Sequence, residues 1–173
     1  MLLKPQDTVL ALKYWALGKA GQQLSVRDLA ESIGVSASEV SKSAKRLVAA
    51  RLLIEREGRL YPEANALYEW LAFGVRYAYP VQQVGYGRGL ACAWNCPLIV
   101  SDIVPPSPAF VWAASGGKTE GVFIEPIYES VPLGASKDEM LYHILALVDV
   151  IRLGKPRELA IARPLLKELL NIS

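Results

Sequence analysis

The chain has 173 residues, of which 52% are apolar and 21% charged, with a formal net charge of +2. That length can bury a substantial core as one domain or two small ones, and that balance excludes a disordered chain. No apolar run approaches the ~18 residues of a membrane span, and the start Met-Leu-Leu-Lys-Pro lacks the charged-then-apolar order of a signal peptide, so a cytoplasmic protein with no membrane partner is expected.

A first helix is predicted from about Pro5 to Lys19, with Val9, Leu12, Trp15 and Ala16 on its inner face. Two capping signatures follow, Ser25 with Asp28 and Ser36 with Glu39, each marking a helix start. Val26, Leu29, Ala30 and Ile33 form one inward stripe, and Val40, Ala44, Leu47 and Val48 form the next. Gly34 stands between the two helices, where a left-handed residue closes a helix and allows a sharp turn. With those stripes inward, Ser38, Ser41, Lys42, Lys45 and Arg46 are expected to point outward from the helix that begins at Ser36, and the capping Ser36 is counted with them as a DNA-contact candidate. Hydroxyls and cations are what phosphates and base edges accept. Leu52 to Arg56 and Arg59 to Tyr61 then flank Glu57-Gly58, a hairpin signal that puts Arg56 and Arg59 near its tip.

The residues Leu29-Ala30, Gly34-Val35-Ser36, Val40, Leu47, Leu53-Ile54 and Arg56-Glu57-Gly58-Arg59 resemble the winged helix-turn-helix regulators of the MarR-like type. The resemblance implies sequence-specific binding to double-stranded DNA, usually as a homodimer, with the helix from Ser36 as recognition helix. Charge supports the location independently: up to Pro62 there are ten Lys and Arg against six Asp and Glu, and beyond it nine against eleven.

Pro62 to Tyr77 reads as a connecting helix, with Leu67, Trp70, Leu71 and Phe73 on a broad apolar side. From Pro80 to Gly134 turn residues dominate, and short strands are predicted at Leu98 to Val100, Phe110 to Ala113 and Gly121 to Ile127. A small β-rich subdomain is favoured over an irregular loop, because fifty unstructured residues inside a compact domain are improbable. Ser115-Gly116-Gly117-Lys118 is read as a hairpin turn, and Gly85-Tyr86-Gly87-Arg88-Gly89 as a loop, since it lacks the flanking elements of a phosphate cradle. Ser136 with Glu139 is expected to open a helix that runs to Gly154. Pro156 opens a last one that Pro164 bends or divides, and together they form a helical hairpin.

The fold class expected is therefore mainly α with a small β component: a winged helix-turn-helix over 1–62, a connecting helix over 63–79, and an α+β C-terminal domain over 80–173 for effector or oligomerisation functions. Catalysis is not expected, because the chain has one histidine, His143, and no readable Ser-His-Asp or Cys-His set. Cys92, Cys96 and His143 are too few for a structural zinc, so neither metal nor cofactor is expected. Buried thiols are the favoured reading of the cysteines, with a redox switch as the alternative. Asp149 is expected to pair locally with Arg152.

The functional expectation is a transcriptional regulator, a repressor in particular. The layout of a winged helix and an effector domain of about a hundred residues also resembles winged-helix antitoxins paired with nucleotidyltransferase-type toxins. That implies an alternative in which the chain controls its own operon and binds a toxin through its C-terminal domain. A further alternative is a ligand-sensing regulator with Trp94, Trp112, Tyr77 and Tyr79 around a small molecule.

Overall fold

The structure is a computed structural model, and residues 2–173 are described. The N-terminal helices are α1 (Pro5–Lys19), α2 (Val26–Ile33) and α3 (Ala37–Ala49), followed by a hairpin of β1 (Leu53–Arg56) and β2 (Arg59–Pro62). Their boundaries follow local chemistry. The Ser25 hydroxyl accepts from the Asp28 backbone N–H at 3.1 Å, and the Ser36 hydroxyl accepts from that of Glu39 at 3.1 Å. Each cap satisfies a backbone donor left over at a helix start and stabilises it by about 1 kcal/mol. Gly34 closes α2 at φ 69°, as the sharp turn requires. Glu57 and Gly58 both have positive φ, the two-residue turn whose twist matches an antiparallel hairpin pairing Arg56 with Arg59.

Beyond the hairpin the connecting helix is present but interrupted. α4 (Ala64–Glu69) passes through a π-helical turn (Trp70–Gly74) into α5 (Val75–Ala78). Trp70 packs over Gly74, where a Cβ would come within 2.6 Å of the indole, and its Nε1 donates to Thr8 Oγ1 of α1 at 2.9 Å. The wide turn sends Phe73 outward, 49% exposed, instead of onto the apolar side predicted for it.

The β-rich expectation for the middle of the chain holds in outline, with three corrections. Leu98 to Val100 is not a strand. The glycine-rich run read as a loop lies within the longest strand, β3 (Gln83–Ala91), which pairs antiparallel with both β4 (Ala109–Ala113) and β5 (Thr119–Ile124). β4 and β5 run parallel, so Ser115 to Lys118 links them without forming a hairpin, and the three strands close into a miniature barrel. Such tight closure brings backbones into contact. A Cβ at Gly89 would collide with the Trp112 carbonyl, and one at Gly121 with the carbonyl of Ala109.

The C-terminal part is helical: α6 (Val131–Lys137), α7 (Glu139–Leu153) and α8 (Pro156–Leu169). Asp138 caps α7, its carboxylate accepting from the Leu141 N–H at 3.1 Å. Ser136, expected in that role, ends α6 and donates to the Leu133 carbonyl. Gly154 at φ 74° turns the chain into α8, which continues through Pro164 undivided and packs on α7 as a helical hairpin.

One hydrophobic core runs through all of these elements, from Leu10 and Leu12 of α1 through Leu71 and Trp112 to Leu145 and Val148 of α7. α1 is its axle: Asp7 to Lys13, Trp15, Ala16 and Leu17 are all buried. Lys13 reaches Asp138 at 2.8 Å, tying α1 to the cap of α7. On the far side of the core Asp149 accepts from Trp112 Nε1 at 2.6 Å and pairs with Arg152 Nη1 at 2.6 Å, as its local pairing predicted. Burial pushes the Asp149 carboxyl up, and the two donors counter that rise. Arg152 also donates to the carbonyls of Tyr79 and Glu125, so one buried pair fastens the connector and the barrel to α7.

Candidate nucleic-acid interface

α3 presents Ser38, Ser41, Lys42, Lys45 and Ala49 on an exposed face, while Val40, Ser43 and Leu47 are buried. Ser36, at the exposed entry to the helix, is engaged as its cap. Lys42 and Lys45 have no ion-pair partner among the described residues. Arg56 and Arg59 stand exposed at the tip of the wing, opposite one another across the hairpin.

Arg46 departs from this pattern. It is 9% exposed, and its guanidinium forks onto Asp7 of α1, Nε to Oδ2 at 2.8 Å and Nη2 to Oδ1 at 2.7 Å. Nη2 also meets Glu39, and Ser43 Oγ donates to Asp7 Oδ1 at 2.6 Å. Hydrogen bonds from Arg46 hold the Glu39 carboxyl below its ordinary range, and the guanidinium is itself locked in its charged form, chiefly by Asp7. A bidentate pair of this kind fixes an angle as well as a distance, so Arg46 sets how α3 lies on α1 and does not belong to the outer face. Two residues placed inward stand partly out instead: Val26 is exposed at the start of α2, and Val48 is exposed beside Lys45 and Leu60, between α3 and the wing.

Two exposed cations escaped the sequence reading. Arg27 lies in the first turn of α2, and Arg51 at φ 61° links α3 to β1. Neither lies on the helix from Ser36 or at the tip of the wing, where the sequence pattern pointed to contacts.

Residues 15–59 match the family model of the MarR family. The segment is therefore similar to the winged helix of the MarR family, and the match supports a DNA-binding transcriptional regulator in general terms. It starts within α1 and ends in the wing, leaving everything after Arg59 outside it. No curated protein and no solved structure matches the chain.

The remaining candidate chemistry takes a structural place. Cys92 and Cys96 are buried free thiols, and burial pushes both thiols up, away from the reactive thiolate. Asp102, Glu120, Glu125 and Glu129 are exposed. Among the described residues no group of three or more His, Cys, Asp or Glu is gathered as a metal site, and no helix is long and apolar enough to cross a membrane. Trp94, Trp112, Tyr77 and Tyr79 do not share a pocket: the two tryptophans are in the core, Tyr77 is 76% exposed, and Tyr79 donates to the Leu3 carbonyl. An apolar cavity of about 610 Å³ is lined instead by Trp15, Leu98, Met140, His143 and Leu165, among others.

The helix-turn-helix is also held from the C-terminal side. Ser130, just before α6, donates to the Ile33 carbonyl at the turn between α2 and α3. Its Cβ lies where a side chain at Gly34 would need to be.

Proposed function

We propose that the chain is a sequence-specific repressor that places α3 in the major groove of duplex DNA and sets its wing on the flanking backbone. In this reading Lys42 and Lys45 contact phosphate or guanine, Ser38 and Ser41 make shorter polar contacts, Ser36 orders the helix start, and Arg56 and Arg59 anchor the wing. Arg46 orients the helix from behind. The observation that carries the reading is Lys42 and Lys45 on the exposed face of α3, beside the Ser38 and Ser41 hydroxyls and with no ion-pair partner among the described residues. Binding as a homodimer would set two such helices on half-sites about 10 base pairs apart.

Selection of bound fragments from the source genome tests the reading and yields the operator. On that operator Lys42→Ala with Lys45→Ala is expected to weaken binding and reduce the slope of log affinity against log salt by about 2, one condensed counterion per lost phosphate contact. An unchanged slope assigns the DNA face elsewhere.

A second reading adds a protein partner, as in an antitoxin that controls its own operon and holds a toxin through residues beyond the wing. It is favoured by the exposure of Phe73 and Tyr77 directly after the winged helix. Co-purification of the full chain with the product of the neighbouring gene tests it.

A further inference from the structure

The π-helical turn does more than interrupt the connector. In an α-helix residues five apart point about 140° away from each other at 3.6 residues per turn, so Tyr68 and Phe73 would diverge. Here the Val75 N–H bonds back to the Trp70 carbonyl, five residues earlier, and the wider turn brings the two rings together edge to face with centroids 6.1 Å apart. Tyr77 follows Phe73 by four residues, so a stripe of three aromatics runs along one side of the connector.

A cation stands over each ring. Lys167 Nζ lies 5.3 Å from the Tyr68 centroid, Arg163 4.4 Å from that of Phe73, and Arg76 5.0 Å from that of Tyr77. Lys167 and Arg163 are one turn apart on α8, which lays a basic row beside the aromatic one. Arg163 is steadied by the Ala72 carbonyl and Arg76 by that of Gly154. None of the three has an ion-pair partner among the described residues, and Glu69 is the one carboxylate on the connector from Ala64 to Ala78.

We propose that this stripe is a docking surface for an acidic protein segment carrying apolar side chains between its carboxylates. Tyr and Arg are side chains in which binding energy concentrates at protein interfaces and Phe is enriched there, and none of the three cations is met by an ion pair among the described residues. A second copy of the chain meeting the surface with a two-fold axis through these cations would set them against one another. Duplex DNA keeps its bases stacked and offers the exposed rings nothing to cover. The proposal rests on the second reading above and is independent of the DNA contact.

The test uses the full chain and fluorescence anisotropy with three labelled probes: a peptide repeating Glu-Glu-Leu-Phe, its Lys-Lys-Leu-Phe counterpart, and a single-stranded oligouridylate. The acidic peptide is expected to bind at least tenfold tighter than either of the others. Phe73→Ser with Tyr77→Ser, which keeps every cation and replaces exposed rings, is expected to weaken it about tenfold. Arg163→Glu with Lys167→Glu is expected to abolish it, and Lys42→Ala with Lys45→Ala to leave it unchanged, with circular dichroism confirming that each variant folds. Equal binding by the Phe73 and Tyr77 variant, equal loss in the Lys42 and Lys45 variant, or tighter binding of the oligouridylate overturns the proposal. A chain that retains its neighbour's product yet shows no preference for the acidic peptide refutes this surface and leaves the second reading standing.

Discussion

Arg46 is bound on two nitrogens by the buried carboxylate of Asp7, across the contact between α3 and α1. A helix whose outer face carries Lys42 and Lys45 is thus aimed by a cation turned the other way. The Asp7 carboxylate also accepts from the Lys4 backbone N–H and from Ser43, so four donors converge on two oxygens.

Arg46→Met removes two of those donors and leaves Asp7 buried with an uncompensated charge. Breaking a buried pair from one side costs about 3–5 kcal/mol, read as a lower urea midpoint. Adding Asp7→Asn to Arg46→Met is expected to recover part of the loss. Full stability in Arg46→Met combined with lost DNA binding would return Arg46 to the reading face.

Gly34→Ala puts a side chain on a left-handed residue, at a cost of about 1–2 kcal/mol, and aims its Cβ at Ser130 Cβ, 2.9 Å away. The thermal midpoint should fall. Ser130→Gly in the same chain removes that Cβ but also the hydroxyl bonded to the Ile33 carbonyl, and leaves Leu133 Cδ2 3.0 Å from the new Cβ, so the double variant is expected to stay below the unsubstituted chain.

Two groups, His143 and Glu39, should each make stability fall on acidification, in separate windows. Burial lowers the His143 pKa below its ordinary 6.5, so on acidification below about 6.5 the unfolded chain takes up a proton that the folded chain resists, and stability falls. Glu39 is held low mainly by Arg46, so its contribution is complete above the ordinary glutamate pKa of 4.5 and disappears as pH drops through the folded value. Urea midpoints of His143→Phe should lose the first slope and keep the second.

Cys92 and Cys96 should react with a thiol reagent only as the chain unfolds, since burial raises both thiols and shields them. Operator affinity in mild oxidant is expected to equal that in reductant. Rapid modification of the native chain would show an opening that reaches the core.

What could be read from the residues alone was local. The Ser25 and Ser36 caps, Gly34 and the Glu57-Gly58 turn are each decided by contacts within a few residues and formed as expected, whereas Ser136 yielded its helix start to Asp138 two residues on. Arg46 was misplaced because its position on α3 borders both faces, and the acid that draws it inward lies 39 residues earlier. β3 escaped because its glycines look like loop punctuation, whereas Gly89 is needed by the carbonyl of a strand more than twenty residues later. Phe73 was assigned inward on a 3.6-residue period that the π turn does not follow. On the proposed DNA face, Ser38, Ser41, Lys42, Lys45, Arg56 and Arg59 stand exposed where hydrophobic period and turn chemistry put them.

The all-round burial of α1 bears on how such a chain can be inherited. The stretch that matches the family model begins at Trp15, part-way along a helix whose Asp7 steers α3 and whose Lys13 secures α7. A recombination joint at Pro62 would cut α1 from the α7 it packs against, parting Lys13 from Asp138 and Thr8 from Trp70. The two ends of this sequence are therefore expected to travel through evolution together, with α1 as their common heirloom.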